Sequence, residues 1–179
     1  MLLYSQQEQY RLVQGTGTGR KRGRIMRVDN ILRDAIKDYF KDYDRFKADY
    51  NFGIVEDKVC FIYKGIVGYL IPKRNFLLDL ELIFKDKTPF TSVNNLFESA
   101  KDAKELTYAY DKPIDKDTLS IYKNESGEEI AVNKKMLKYF EPGRYETKPI
   151  IKGTTHKGVV YIFSEDEPLG LICPVNIKK

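Results

Sequence analysis

A shift of 100 residues brings the chain into register with itself, and this constrains its fold more than any other feature. Tyr39-Phe40 falls on Tyr139-Phe140, Gly53 on Gly153, Val59 on Val159 and Ile62 on Ile162. Between 36–63 and 136–163, five of 28 positions are identical. Ile36 with Met136, Phe61 with Tyr161 and Tyr63 with Phe163 are alike in kind. With two extra residues allowed in the second hairpin, Gly68 and Pro72 meet Gly170 and Pro174. Both stretches follow one order: helix, strand with glycine near its end, apolar strand, turn, strand ending in proline. This reads as a strand–helix–three-strand unit used twice, at about 26–75 and 119–179, around an insertion at 76–118. Two amphipathic helices and two buried hairpins that merely look alike would give the same pattern.

The local patterns fill in the elements. Residues 29–43 place Ile31, Ala35, Ile36, Tyr39, Phe40 and Tyr43 on one helical stripe, with Asp29 or Asn30 as N-cap. Strands are expected at 46–55, at the hairpin around Lys64-Gly65, at 77–84 and at 105–111. A helix capped by Ser92 or Asn94 is expected at 92–103, and Pro113 with the following acidic turn marks a loop. A hairpin at 119–132 turns at Glu125-Ser126-Gly127, and a helix at 133–140 stops at Pro142-Gly143. KPIIKG, GVVYIF and LGLICPV are the last strands. The class is therefore α+β with mostly antiparallel sheet.

Charge is unevenly placed. The whole chain carries +5, from 31 Lys+Arg against 26 Asp+Glu. Residues 1–24 hold Arg11, Arg20, Lys21, Arg22 and Arg24 against Glu8 alone, a net of +4 that leaves +1 for the remainder. The high pI thus belongs to a short basic stretch and says little about what the folded part binds. Residues 1–25 read as a flexible basic tail. GTGTG within it follows no strand and opens no apolar helix, so it lacks the setting of a phosphate-binding loop. Lys21-Arg22-Gly23-Arg24 can be encoded by a purine-rich run resembling a bacterial ribosome-binding site, which would make Met26 the start. This hypothesis assumes a bacterial or phage source. N-terminal mass spectrometry of the natively expressed protein decides it.

The second copy resembles the C-terminal part of the bacterial DNA sliding clamp, the beta subunit of the replicative polymerase. The residues are EEIAVNKKMLKYF, IIKGTTHKGVVYIF and EDEPLGLICPV. The resemblance covers about 50 residues directly, and the 26–75 copy by analogy. It implies the DNA-clamp fold of two strand–helix–three-strand units. Clamp subunits hold two or three such domains, whereas 26–179 has room for a single clamp-like domain, so six chains would be needed to imitate a six-domain ring. Clamps present Lys and Arg from helices to duplex phosphates without reading bases. By that resemblance the DNA-facing candidates are Lys134, Lys135 and Lys138, with Arg33, Lys37 and Lys41 on the first helix. Asp34, Asp38 and Asp42 offset the latter, and a plain solvated helix face suits all six. By position, Cys173, Pro174 and Val175 match the segment beside which clamps bind partner peptides; core or edge-strand roles suit them equally.

The residues offer no catalytic arrangement, metal site or cofactor site. His156 is the only histidine, which speaks against zinc and against a Ser-His-Asp triad. Cys60 and Cys173 lie in apolar runs, as core residues of a reduced, cytoplasmic protein do. Asp79 and Glu81 alternate with leucine on the polar face of an expected strand, unlike a nuclease metal pair. The longest apolar runs are about seven residues and a membrane span needs about 20. The N-terminus lacks a sustained apolar stretch, so no secretory signal is expected. Two functions remain. One is a clamp-like protein associated with DNA replication, acting as processivity factor or scaffold on double-stranded DNA with a polymerase partner, as a homo-oligomer. The other is a phage or mobile-element module that binds or inhibits a host protein.

Overall fold

Apolar runs set by β-branched and aromatic residues dictate the main sheet. The computed structural model describes residues 26–85, 87–140, 149–154 and 158–176. The expectations for 1–25, for His156 and for the stop at Pro142-Gly143 lie outside these. The chain begins with helix α1 (Val28–Lys41) and helix α2 (Tyr43–Asp49). Strands β1 (Tyr50–Val55), β2 (Lys58–Tyr63) and β3 (Val67–Pro72) form an antiparallel meander. Short helices α3 (Leu80–Ile83) and α4 (Ser92–Glu98) follow, with a 3-10 turn at Ser99–Asp102. Strand β4 (Lys104–Glu105) precedes β5 (Thr107–Ile114), β6 (Asp117–Lys123) and β7 (Glu129–Asn133). Helix α5 (Lys134–Leu137) leads towards β8 (Ile150–Thr154), β9 (Val159–Ser164) and β10 (Glu167–Ile172).

Two sheets result, both antiparallel throughout: a seven-stranded one in the order β1-β2-β3-β10-β9-β8-β4, and a three-stranded one in the order β5-β6-β7. The architecture is α+β with mostly antiparallel sheet. The registers of the two outer hairpins of the large sheet correspond. Gly53 pairs with Cys60, and Gly153 with Val160, both members 100 residues further on. Ile62 pairs with Gly68, and Ile162 with Gly170, so the third strand is offset by 102. At the seam, Gly68 pairs with Leu171 and Tyr69 with Gly170.

Both faces of the large sheet are covered. Phe61, Val67, Ile71, Ile162 and Ile172 point to one side, where Ile31, Leu32, Ala35, Phe46, Leu137 and Phe140 close the main core. Cys60, Leu70, Tyr161 and Leu171 point to the other, under Val93 and Phe97 of α4. Close approach there depends on Gly53. A Cβ at that position would lie 2.9 Å from both the Phe90 carbonyl oxygen and Val93 Cγ2. The Phe90 amide also donates to the Phe52 carbonyl at 2.7 Å, which covers the β1 edge.

Several local expectations are corrected. Of the expected stripe, Ile36 is exposed and Phe40 is 82% exposed on α1, and Tyr43, also exposed, opens α2; the buried stripe is Ile31, Leu32 and Ala35. Neither Asp29 nor Asn30 caps α1. The Arg27 amide donates to the Tyr139 carbonyl at 2.9 Å, so the chain enters the helix already tied to the turn after α5. The expected strand 46–55 loses its first four residues to α2, whose N-cap Asp42 accepts from the Arg45 amide at 3.0 Å. The expected strand 77–84 instead turns into α3, because Asp79 caps it by accepting from the amides of Glu81 and Leu82. Neither Ser92 nor Asn94 caps α4: the cap position is Thr91, with no side-chain bond, and the helix tightens into a 3-10 turn after Glu98. Pro113 sits inside β5 opposite Thr118, on the edge strand of the smaller sheet, where proline is tolerated. Helix 133–140 shortens to α5, followed by a turn through Phe140.

Candidate functional site

The lysines nominated on α5 and in the turn after it are occupied by aspartates. Lys134 Nζ donates to Asp111 Oδ2 at 2.6 Å, and Ser120 Oγ donates to the other oxygen of that carboxylate at 2.9 Å. Lys135 pairs with Asp117, which also accepts from Asn133 Nδ2 at 3.3 Å. These contacts hold the Asp111 and Asp117 carboxyls below the usual range, the lysine hydrogen bond being the larger cause in each. They tie α5 to the three-stranded sheet. Lys138 points the other way, 3.6 Å from Asp34 Oδ2 on α1.

Asp34 is where the nominated residues of two helices meet. Arg33 Nε lies 3.5 Å from Asp34 Oδ1 and Lys37 Nζ lies 4.0 Å from it. The Tyr139 hydroxyl donates to Asp34 Oδ2. That hydrogen bond, then the charges of Lys138 and Arg33, hold the Asp34 carboxyl below the ordinary carboxylate range, against an opposing push from burial. The structure therefore brings Arg33, Lys37 and Lys138 together while sending Lys134 and Lys135 elsewhere. Lys41 sits exposed in the last turn of α1.

Beside Asp34 a cavity of about 340 Å3 opens between α1 and the meander β1–β3. Its walls are the rings of Tyr50, Tyr63, Tyr69 and Tyr139, and Asp34, Lys37 and Asp38 border it from α1. Tyr50 and Tyr63 are cross-strand partners at the end of β1 and β2, with ring centroids 4.9 Å apart. Tyr69 and Tyr139 meet edge to face at 5.7 Å. The Tyr50 hydroxyl donates to Asp38 Oδ2 at 2.8 Å. Burial, and then the neighbouring Asp38 carboxylate, push the Tyr50 phenol above its ordinary value. Burial and Asp34 do the same to Tyr139. Burial and the nearby hydroxyls of Tyr139 and Tyr63 raise Tyr69. The phenols of Tyr50, Tyr69 and Tyr139 stay neutral at physiological pH, so the cavity offers oxygens and ring faces beside carboxylates.

The sequence marks Tyr139 and Tyr63 only as positions of the repeat, and none of these tyrosines as a site residue. The available signals were weak ones: 13 tyrosines in a chain without tryptophan, and carboxylates at 34 and 38, one helical turn apart.

Cys173, Pro174 and Val175 act as a backbone bridge. The Cys173 amide donates to the Ile66 carbonyl at 2.7 Å, and the Val175 amide to the Ala131 carbonyl at 2.8 Å, which joins the end of β10 to the second sheet. Cys173 and Pro174 are half-buried and Val175 is exposed. Cys60 is fully buried, and burial pushes its thiol up to about 12. Among the described residues no cluster of three or more His, Cys, Asp or Glu could hold a metal ion. No described helix is long and apolar enough to cross a membrane. No family model, curated protein or solved structure matches the chain.

Proposed function

We propose that this chain is a non-catalytic protein-binding module built on a clamp-like duplicated strand–helix–three-strand unit. The duplication is supported by the corresponding registers of β1–β2–β3 and β8–β9–β10 around the Gly68 and Gly170 seam. One feature runs against it: Phe40 and Phe140, matched in sequence, are respectively exposed and fully buried. The observation that carries the protein-binding reading is the ion pairing of Lys134, Lys135 and Lys138 with Asp111, Asp117 and Asp34. A lysine that faces a carboxylate must give up that partner before it neutralises a phosphate, and the carboxylate left behind repels the backbone.

The second reading is a clamp-like protein on duplex DNA. It is favoured by the convergence of Arg33, Lys37 and Lys138 on one face. Duplex-DNA binding measured across salt separates the two. The protein-binding reading expects salt-sensitive binding by the full chain alone, through its basic first 24 residues, and none by Met26–Lys179. Lys134→Ala, Lys135→Ala and Lys138→Ala combined should leave the full chain's salt slope unchanged. A steep slope in Met26–Lys179, flattened by up to about three units in the triple variant, would instead establish the DNA reading.

A further inference from the structure

Phe40 is the most exposed large apolar side chain among the described residues. It does not stand alone. Ile36 lies one turn before it on α1 and is exposed, as is Tyr43 at the start of α2. Tyr39 packs edge to face on Phe40, on Tyr43 and on the buried Phe46, with ring centroids 5.3 Å apart in each pair. The exposed rings of two helices are thus backed through Tyr39 by a core ring. A ring fixed before binding loses little freedom on contact, which is what an interface anchor requires.

The charges beside this stripe select its partner. Arg33, Lys37 and Lys41 form an i, i+4 row next to Ile36 and Phe40. Asp34 and Asp38 form the row beyond, where the hydroxyls of Tyr139 and Tyr50 donate to them. Among the described residues, Asp34 is the one carboxylate within ion-pair distance of Arg33, Lys37 and Lys138, so a single negative charge serves three positive ones. The side chains of Arg33 and Lys37 stay 59% and 68% exposed. Lys41, exposed in the last turn, has no ion pair among the described residues. Positive charge is therefore in excess along the flank of the stripe, and Asp29 and Asp44 stand only at its two ends. A phosphate backbone would meet the cations but offer nothing apolar to Ile36 and Phe40. A second copy of α1 would bring the same row of cations, with its own Asp34 and Asp38 turned to Tyr139 and Tyr50. A peptide segment with apolar residues on one face and carboxylates beside them matches both features.

We infer that the stripe of Ile36, Phe40 and Tyr43 docks an acidic peptide segment of a partner protein, whose apolar side chains pack on Phe40 and whose carboxylates meet Lys37 and Lys41. This names the surface for the protein-binding reading above and rests on it. The test is selection of a random-peptide phage library on the immobilised full chain, native and variant in parallel. Enriched peptides should combine Asp or Glu with apolar residues, and Phe40→Ser should abolish that enrichment. Residues 1–24 carry a net +4 and attract acids on their own account, so Phe40→Ser is the deciding variant. For an enriched sequence made as a synthetic peptide, Phe40→Ser should weaken binding about tenfold or more. Lys37→Glu combined with Lys41→Glu should weaken it about tenfold, and added salt should narrow that difference. Ile114→Ser, on the second sheet, should leave it unchanged. No enrichment, enrichment of neutral or basic peptides, or enrichment that survives Phe40→Ser overturns the inference. Self-association of the full chain that is lost in Phe40→Ser overturns it in favour of a second copy. Failure of the two proposals is separable. DNA binding by Met26–Lys179 would remove the protein-binding reading, whereas peptide binding that ignores Phe40 removes only this site.

Discussion

Tyr139 joins the turn after α5 to α1 through a single hydroxyl on Asp34, and its removal should be measurable. Tyr139→Phe keeps the ring contact with Tyr69 and deletes one hydrogen bond to a charged acceptor. Stability by urea denaturation at pH 7 should fall by about 1–2 kcal/mol. The pH dependence has a definite sign. The folded Asp34 carboxyl titrates below its ordinary value, so its stabilisation is present above that value and is lost as pH falls through the depressed one. The gap between Tyr139→Phe and the native protein should therefore close as the medium is acidified below the ordinary aspartate range. A gap that is constant from pH 7 downward would show that the bond does not depend on the charge of Asp34.

At the scale of elements, α1 carries two apolar sets that the sequence merges into one stripe. Ile31, Leu32 and Ala35 face the sheet; Ile36 and Phe40 do not. Helical spacing alone allows either set, because an apolar arc this wide exceeds what one neighbouring sheet covers. The tie between the Arg27 amide and Tyr139 fixes the rotation of the helix and so decides between them. Leu32→Ala should cost about 2–4 kcal/mol, since the site is closed by the core. Phe40→Ser should change stability by less than about 0.5 kcal/mol. Urea midpoints of the two variants test this, and a large loss from Phe40→Ser would contradict the exposure of that ring. The misread strand at 77–84 has a similar cause. Alternation of leucine with Asp79 and Glu81 suggests a half-buried strand, but no neighbour pairs there, and the Asp79 cap then favours a turn of helix.

For the whole molecule, the seam between β3 and β10 joins the two meanders into one sheet, and Gly170 is its tightest point. A Cβ there would overlap the carbonyl oxygen of Gly68 and come within 2.7 Å of Phe140 Cζ. Backbone at a sheet seam cannot yield, so Gly170→Ala should destabilise by about 3 kcal/mol or more. Gly153→Ala, in β8, runs instead into the side chain of Leu106, which can shift. It should cost about 1–2 kcal/mol. Denaturant melts of both variants check the order; a milder effect at Gly170 would mean that the seam is looser than described.

The sequence by itself determined the hairpins, the class of the fold and the 100-residue correspondence of their registers. These follow from short-range facts: β-branched and aromatic runs, turn residues such as Lys64-Gly65 with positive φ, and glycine where strands approach closely. What it left open involves groups far apart in the chain. Asp34 and Tyr139 are 105 positions apart, Lys134 and Asp111 are 23, and Tyr50 and Tyr69 meet only because β1, β2 and β3 pair as they do. The sequence shows a lysine-bearing helix, but whether its charges stay available depends on the aspartates that the second sheet and α1 bring to it. The tyrosine cavity likewise exists only once α1 lies across the meander, because no local pattern fixes which rings face a common space.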